Sequence, residues 1–310
     1  MQTPVAFIIF KRPHTTERVF EEIRRAKPPK LFVVADGPRI NVPDEAEKCA
    51  ATRAIIERVD WDCEVIKNYS DVNLGCAKRV SSGLDWVFKN VEEAIILEDD
   101  CLPHPTFFPF CEELLEKYRH DTRISSISGE NVLFGRRRTN YSYYFSRYNF
   151  CWGWASWKRA WQHYDLTIKL WKEVQSQGFL ADILTEPLAV RYWNYMLQSV
   201  YDNPLGITWD YQWTFACWMQ NSLGIISNVN LISNIGFGSD STHFADDKSN
   251  PYDSLPTQTM ELPLKHPPFI IRDAKSDNFT QKTLYKTTHL DMFKLEMKQV
   301  LRKKFHLNLT

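Results

Sequence analysis

The sequence predicts an α/β fold: an open, mainly parallel twisted sheet flanked by helices, followed by an aromatic-rich helical half. Three observations predict it. Short apolar runs alternate with amphipathic stretches through the first hundred residues, which is the pattern of βαβ units. Nine of the eleven tryptophans then fall between Trp152 and Trp218, where that alternation gives way to helical patterns. Ahead of that region, Ala94–Cys101 reads AIILEDDC, a run suited to a strand buried on both faces that ends in three consecutive carboxylates.

Val5–Phe10 reads as the first strand. Thr15–Ala26 reads as a helix, with Val19, Phe20, Ile23 and Ala26 at helical spacing. Leu31–Ala35 is the second strand, closed by the turn signal Asp36-Gly37-Pro38. Pro43-Asp44, with Glu47 three residues on, opens a helix over Asp44–Val59. Cys63–Lys67 is the third strand. Gly75–Asn90 is a helix whose buried stripe is Val80, Leu84, Val87 and Phe88, and Ala94–Leu97 is the fourth strand. A helix at Pro105–Arg119 and a strand at Arg123–Ser128 follow.

Beyond Tyr141 the pattern predicts helices at Ser156–Trp161, Pro187–Tyr201 and Asp210–Gln220, then short strands at Ile225–Ser227 and Leu231–Asn234. Gly236–His243 is a Gly/Ser loop, and residues 246–268 are rich in Asp, Ser and Pro, a long surface loop. Leu284–His306 is a basic amphipathic helix. Packing on the domain with its charges solvated is one reading of it; a weak contact with a membrane surface is the other.

Composition narrows the function. Thirty-eight basic residues balance thirty-eight acidic ones, which argues against a general nucleic-acid binder. An anionic ligand must then be held by local groups. The seven cysteines are scattered, odd in number and without a CxxC pair, so neither a zinc site nor a disulfide framework is indicated. Reduced thiols in a cytoplasmic protein are the simplest account. The run Val5–Phe10 is too short for a signal peptide or a membrane span.

Consecutive βα loops of a parallel sheet fall along one edge, so four groups should converge there. Lys11-Arg12-Pro13 follows the first strand, and Asp36 follows the second. Asn73-Leu74-Gly75 leads into a helix carrying Lys78 and Arg79, and Glu98-Asp99-Asp100 follows the fourth strand. Clustered carboxylates repel one another unless a cation sits among them, and hard oxygen ligands suit Mg²⁺ or Mn²⁺ bridging to phosphates. Each group has a plainer reading: a solvated acidic turn for the carboxylates, a surface ion pair for Arg12, a turn former for Asp36. Lys78 and Arg79 are neighbours on a helix, so at most one faces the site. Both the GxGxxG fingerprint and the GxxxxGK[ST] loop are absent from the sequence, which argues against a Rossmann dinucleotide and a P-loop triphosphate.

Taken with the segments downstream, this pattern resembles GT-A-fold glycosyltransferases, and specifically the N-acetylglucosaminyltransferase I type. LDWVF (84–88) leading to AIILEDDCLPHPTFFPF, YNFCWGWASWKRAW (148–161), TWDYQW (208–213) and GFGSDSTHF (236–244) carry the resemblance in order, over most of residues 4–244. It implies metal-dependent, inverting transfer from a nucleoside-diphosphate sugar, UDP-linked by family, to a glycan or lipid-linked acceptor. Such an activity would serve polysaccharide biosynthesis. Asp100 would bind Mn²⁺ or Mg²⁺, with Glu98 and Asp99 near the donor. Arg12 would contact the diphosphate and Asp36 the base. Asp210 would be the general base, although an N-cap reading is compatible with the same position. The family has a second acid where this chain has Tyr211.

Ser241 or His243 would close over the diphosphate, and Glu130-Asn131 occupies a donor-sugar position, with Asn131 the assigned contact. Trp152, Trp154 and Trp209 flank the acceptor site, where indole faces can pack on sugar C–H groups, while most of the tryptophans belong to the core. The domain reading is 1–245, with a nucleotide-sugar half at 1–130 and an acceptor half at 131–245. Residues 246–310 pack on or beside it. Two other functions remain: a sugar-nucleotide nucleotidyltransferase, disfavoured because Phe10–Pro13 lacks glycine, and a non-catalytic carbohydrate-binding protein, disfavoured by the retained acids.

Overall fold

Continuous apolar runs form strands that can be buried on both faces, and the first half of the chain is built from them. The computed structural model describes residues 1–206, 208–237, 251–294 and 297. β1 (Val5–Ile9), α1 (Pro13–Ala26), β2 (Lys30–Ala35), α2 (Glu45–Ile55), β3 (Glu64–Tyr69), α3 (Cys76–Asn90) and β4 (Glu93–Glu98) form the expected βαβ series. β5 (Cys101–Pro103), α4 (Phe107–Lys117), β6 (Ile124–Ser128), β7 (Tyr143–Ser146) and β8 (Trp154–Trp157) follow. Then come α5 (Lys158–Trp161), α6 (Trp171–Gln177), α7 (Leu180–Leu184), α8 (Pro187–Asp202), α9 (Asp210–Met219), β9 (Leu223–Ser227), β10 (Ile232–Asn234) and α10 (Ala274–Thr283).

Eight strands make one sheet in the order β3-β2-β1-β4-β8-β6-β9-β7. β3, β2, β1 and β4 are mutually parallel, so their carboxyl ends share one edge. β8 runs antiparallel to both β4 and β6, which returns β6 to the direction of β4. β9 is parallel to β6, and β7 closes the far edge antiparallel to β9. β5 and β10 pair separately.

Side chains alternate between the two faces. Val5, Phe7, Leu31, Val33, Ile95 and Leu97 join one core with α1 and α4. Ala6, Ile8, Phe32, Val34, Ala94 and Ile96 join the opposite core with α3 and α9. A third, aromatic core gathers α6 to α9 around Trp171, Trp193 and Trp218.

Several elements depart from the sequence reading. The predicted helix at Ser156–Trp161 begins as strand β8: Trp154 enters the α3/α9 face while Ala155 and Trp157 enter the other. That alternation over four residues is too short to distinguish from a helical turn by periodicity. Strands β5 and β7 and helices α6, α7 and α10 lie where the sequence pattern predicts no element, because each is short or polar. Residues 264–283 cover the β7 edge. Ser142 N–H donates to the Lys265 carbonyl at 2.9 Å, and Asp273 N–H donates to the Phe145 carbonyl at 2.7 Å. Of the predicted basic helix at 284–306, residues 284–288 are not helical and the chain turns helical from His289; residues 295, 296 and 298–306 lie outside the described residues. Among the described residues no helix is long and apolar enough to cross a membrane.

Candidate functional site

The loop after β1 turns Arg12 back across the sheet edge. Its backbone carbonyl accepts from Thr16 N–H at 3.0 Å to start α1, and Pro13 needs no donor partner there. The guanidinium is thereby aimed at the acids after β4: Nη2 lies 2.5 Å from Asp99 Oδ1 and Nη1 2.9 Å from Asp100 Oδ2. Phe10 N–H also donates to Asp99 at 3.0 Å. Burial alone would depress the Arg12 guanidinium, but the Asp99 and Asp100 charges outweigh it and raise it. Asp99 is thus a buried anchor for Arg12, while Asp100 is the more open of the two.

Two further acids reach the same edge from distant parts of the chain. Glu130 lies just beyond β6, and Asp210 opens α9. Burial pushes Glu130 up to about 8; the Trp152 N–H opposes this and the Asp210 charge adds to it. Burial also pushes Asp210 up to about 6, against hydrogen bonds from its own N–H and that of Tyr211. Thr208 Oγ1 donates to Asp210 Oδ1. Burial raises Glu98 as well, followed by the charges of Asp100 and Asp99, with Asp210 contributing. Glu98, Asp99, Asp100, Glu130 and Asp210 therefore form a linked electrostatic group, with the guanidinium of Arg12 set against it. The thiols of Cys76 and Cys151 lie in the same field, and burial followed by these carboxylates raises both.

The strand β10 leads straight back to this edge. Ile235 N–H donates to the Asp100 carbonyl at 2.8 Å. Gly236 then passes so close that a Cβ there would stand 2.1 Å from Asp100 Oδ2 and 2.6 Å from Arg12 Nη1. A methyl at this point would have to push the Asp100 and Arg12 side chains aside.

Several assigned residues do other work. The Asp36 carboxylate accepts from Gly37 N–H at 2.9 Å, Leu74 N–H at 2.9 Å, Gly75 N–H at 3.1 Å and Asn73 Nδ2 at 3.1 Å. A carboxylate has about four lone-pair sites, so Asp36 is a staple for the loop ahead of α3 and has nothing left for a base. Arg79 is buried and turned toward β3, donating to the Asn68 carbonyl and, at 2.9 Å, to Asn68 Oδ1. Lys78, its neighbour, is exposed.

Asn131 also faces inward: its Nδ2 donates to the Ser227 carbonyl at 2.6 Å and its Oδ1 accepts from Leu133 N–H at 2.8 Å. The member of that dipeptide whose carboxyl joins the acid group at the edge is Glu130, held by the Trp152 N–H.

Trp154 has no exposed surface and packs against Trp161, Trp209 and Trp213. Trp209 is 4% exposed. Neither ring offers a face to a sugar. Trp152 is partly exposed and meets Phe237 edge-on at 5.8 Å. Ser241 and His243 lie outside the described residues.

Among the described residues no group of three or more His, Cys, Asp or Glu side chains is arranged to hold a metal ion. The donor chemistry nevertheless fits a hard divalent cation, because the edge carries surplus carboxylate charge and Asp100 remains open. Such a cation would have Asp100 as its protein ligand, in the manner of Mg²⁺, which keeps waters and substrate phosphates around it.

No protein-family model and no curated protein matches the chain. It is similar to a UDP-glucose pyrophosphorylase solved with UDP-glucose, at 15% identity over 49% of this chain and 64% of that one, with a TM-score of 0.28. It is also similar to a 4-diphosphocytidyl-2C-methyl-D-erythritol synthase from Anaerococcus prevotii, at 11% identity over 51% of this chain and 71% of that one, TM-score 0.30. A cytidylyltransferase from Leptospira borgpetersenii is similar at 9% identity over 52% of this chain and 63% of that one, TM-score 0.31. The chain spans less than two thirds of the length of the first and third of these.

Proposed function

We propose that this protein is a metal-dependent glycosyltransferase that moves a sugar, with inversion, from a nucleoside-diphosphate sugar to a saccharide hydroxyl. A UDP-linked donor and a glycan or lipid-linked acceptor complete the reading. The observation that carries it is the meeting, at one sheet edge, of the Arg12–Asp99–Asp100 group with Asp210, from opposite ends of the folded unit. An inverting transfer needs a base on the acceptor hydroxyl, in line with the bond to the leaving diphosphate. It also needs positive charge where the leaving diphosphate gathers negative charge.

Asp210 meets the first need. A carboxylate raised to about 6 is ionised at neutral pH yet basic enough to take a proton. The Thr208 hydroxyl orients it. Arg12 and a cation held by Asp100 meet the second; when bound, that cation supplies Lewis-acid stabilisation of the diphosphate. Asp99 holds Arg12 in place. Glu130, nearly buried beside Asp210, fits a neutral donor of a hydrogen bond to the transferred sugar.

The test is product analysis with UDP-glucose, UDP-galactose and UDP-N-acetylglucosamine, Mn²⁺ and a mixed glycan acceptor pool. UDP release with a new, anomerically inverted glycoside is expected, and Asp100→Ala should abolish it. Pyrophosphate release from sugar 1-phosphates and UTP would instead establish a nucleotidyltransferase, and neither product would leave a binding protein.

A further inference from the structure

We infer that the hydroxyl pair of Tyr192 and Tyr211, with Tyr285 beside it, forms the subsite that holds a neutral saccharide acceptor against Asp210. This rests on the glycosyl-transfer reading and adds the acceptor class and the residues that select it.

Tyr211 directly follows Asp210 in α9, and Tyr192 comes from α8. Their hydroxyl oxygens are 2.6 Å apart. Tyr285, just past α10, places its ring 5.6 Å from Tyr192 and 5.1 Å from Trp193. Trp193 in turn lies 5.2 Å from Tyr211. Trp193 is buried, whereas the three tyrosines each keep part of their surface exposed, with their hydroxyls set deep in the cluster. Three chain segments far apart in sequence thus deliver phenols to one place beside the proposed base.

Two phenols that share one hydrogen bond keep one O–H and several lone pairs for a third partner. Burial raises both Tyr192 and Tyr285, and the Asp210 charge adds to the effect, so these phenols remain neutral donors. Aromatic walls that carry neutral hydroxyls match a ligand with apolar C–H faces and hydroxyl edges, which is the chemistry of a pyranose. An anionic ligand would be repelled by Asp210. A site built to bond a hydroxyl discriminates strongly against an analogue that lacks it. The pair is therefore placed to read the hydroxyl next to the reacting one.

The experiment uses the full chain with UDP and Mn²⁺. Neutral methyl hexopyranosides and their monodeoxy analogues are the probes, with binding read by saturation-transfer NMR. At least one glycoside should bind the wild type. Tyr211→Phe and Tyr192→Phe should each weaken that binding about tenfold and erase the preference over one deoxy analogue. Both substitutions keep the ring, and they lie on opposite sides of the bond, so either variant suffices if the other folds poorly. Binding of no glycoside, or equal binding by both variants, overturns the inference. Failure of the wild type to bind or turn over any UDP-sugar would instead overturn the transferase reading.

Discussion

Asp36 and Asp210 sit at comparable places, each at the sheet's carboxyl edge, yet the two halves of the molecule treat them oppositely. In the parallel half, polar groups at the strand ends are tied down. Asp36 accepts four hydrogen bonds, Arg79 is anchored on Asn68, and Glu45 is held by Arg39 and Lys11. Arg39 hydrogen bonding, opposed by burial and helped by Lys11, holds the Glu45 carboxyl down at about 2. In the second half, burial outweighs the hydrogen bonds that Glu130 and Asp210 accept, and their carboxyls rise. The contrast teaches where chemistry can reside. A carboxylate fully engaged by four donors shapes a loop, whereas one whose burial outweighs its hydrogen bonds retains an affinity for a proton, a cation or a sugar hydroxyl.

Substituting the two aspartates is the sharpest way to break that comparison. Asp210→Asn should lower transfer about a thousandfold while UDP-sugar affinity, read by calorimetry, stays near wild type. The wild-type rate should also fall about tenfold per pH unit below about pH 6, since the base is lost as it protonates. Near-full transfer by the Asn variant would remove Asp210 from the mechanism. Asp36→Ala should act on folding instead, with a loss of about 3 kcal/mol in urea denaturation, because four donors lose their acceptor. A variant of full stability that fails only to bind nucleotide would restore Asp36 as a ligand contact.

A subtler test uses pH. The Glu130 carboxyl is raised from its ordinary 4.5 to about 8 on folding. The folded state therefore holds the proton more tightly, and this contribution is complete below about 4.5 and lost as pH rises through about 8. Glu130→Gln should match the wild type in melting temperature at pH 4 and exceed it by several degrees, roughly, at pH 9. An equal melting temperature at pH 9 would mean the acid is satisfied after all. The smallest effect is expected for Gly236→Ala. The Asp100 and Arg12 side-chain ends can swing away from the new methyl, so the fold should persist. The disturbed pair should cost about tenfold in Mn²⁺-dependent donor affinity by titration.

Much of this was legible from the chain. The continuous apolar runs of β1, β2 and β4 specified strands covered on both faces, and three acids directly after such a run could only sit at its end. Arg12 beside Asp99 and Asp100 followed from parallel topology. Other features were not readable, for definite reasons. Strand β8 is four residues long, and only its place between β4 and β6 makes it a strand. Whether Asn131 or Glu130 carries the functional group depends on which side chain finds Ser227 and Leu133. Trp154 and Trp209 resemble ligand platforms in sequence because an indole's composition says nothing of its surroundings.

The sequence by itself determined the α/β class, the strand edge and the acids standing on it, since hydrophobic burial and charge desolvation act through local pattern. Only the tertiary structure decided which of those polar groups are satisfied. It closed Asp36, Arg79 and Asn131 into the scaffold, buried Glu130 and Asp210 at the sheet edge, and brought Tyr285 from beyond the predicted acceptor half to Tyr192. Hydrogen-bond satisfaction depends on neighbours brought together by folding, not on spacing along the chain.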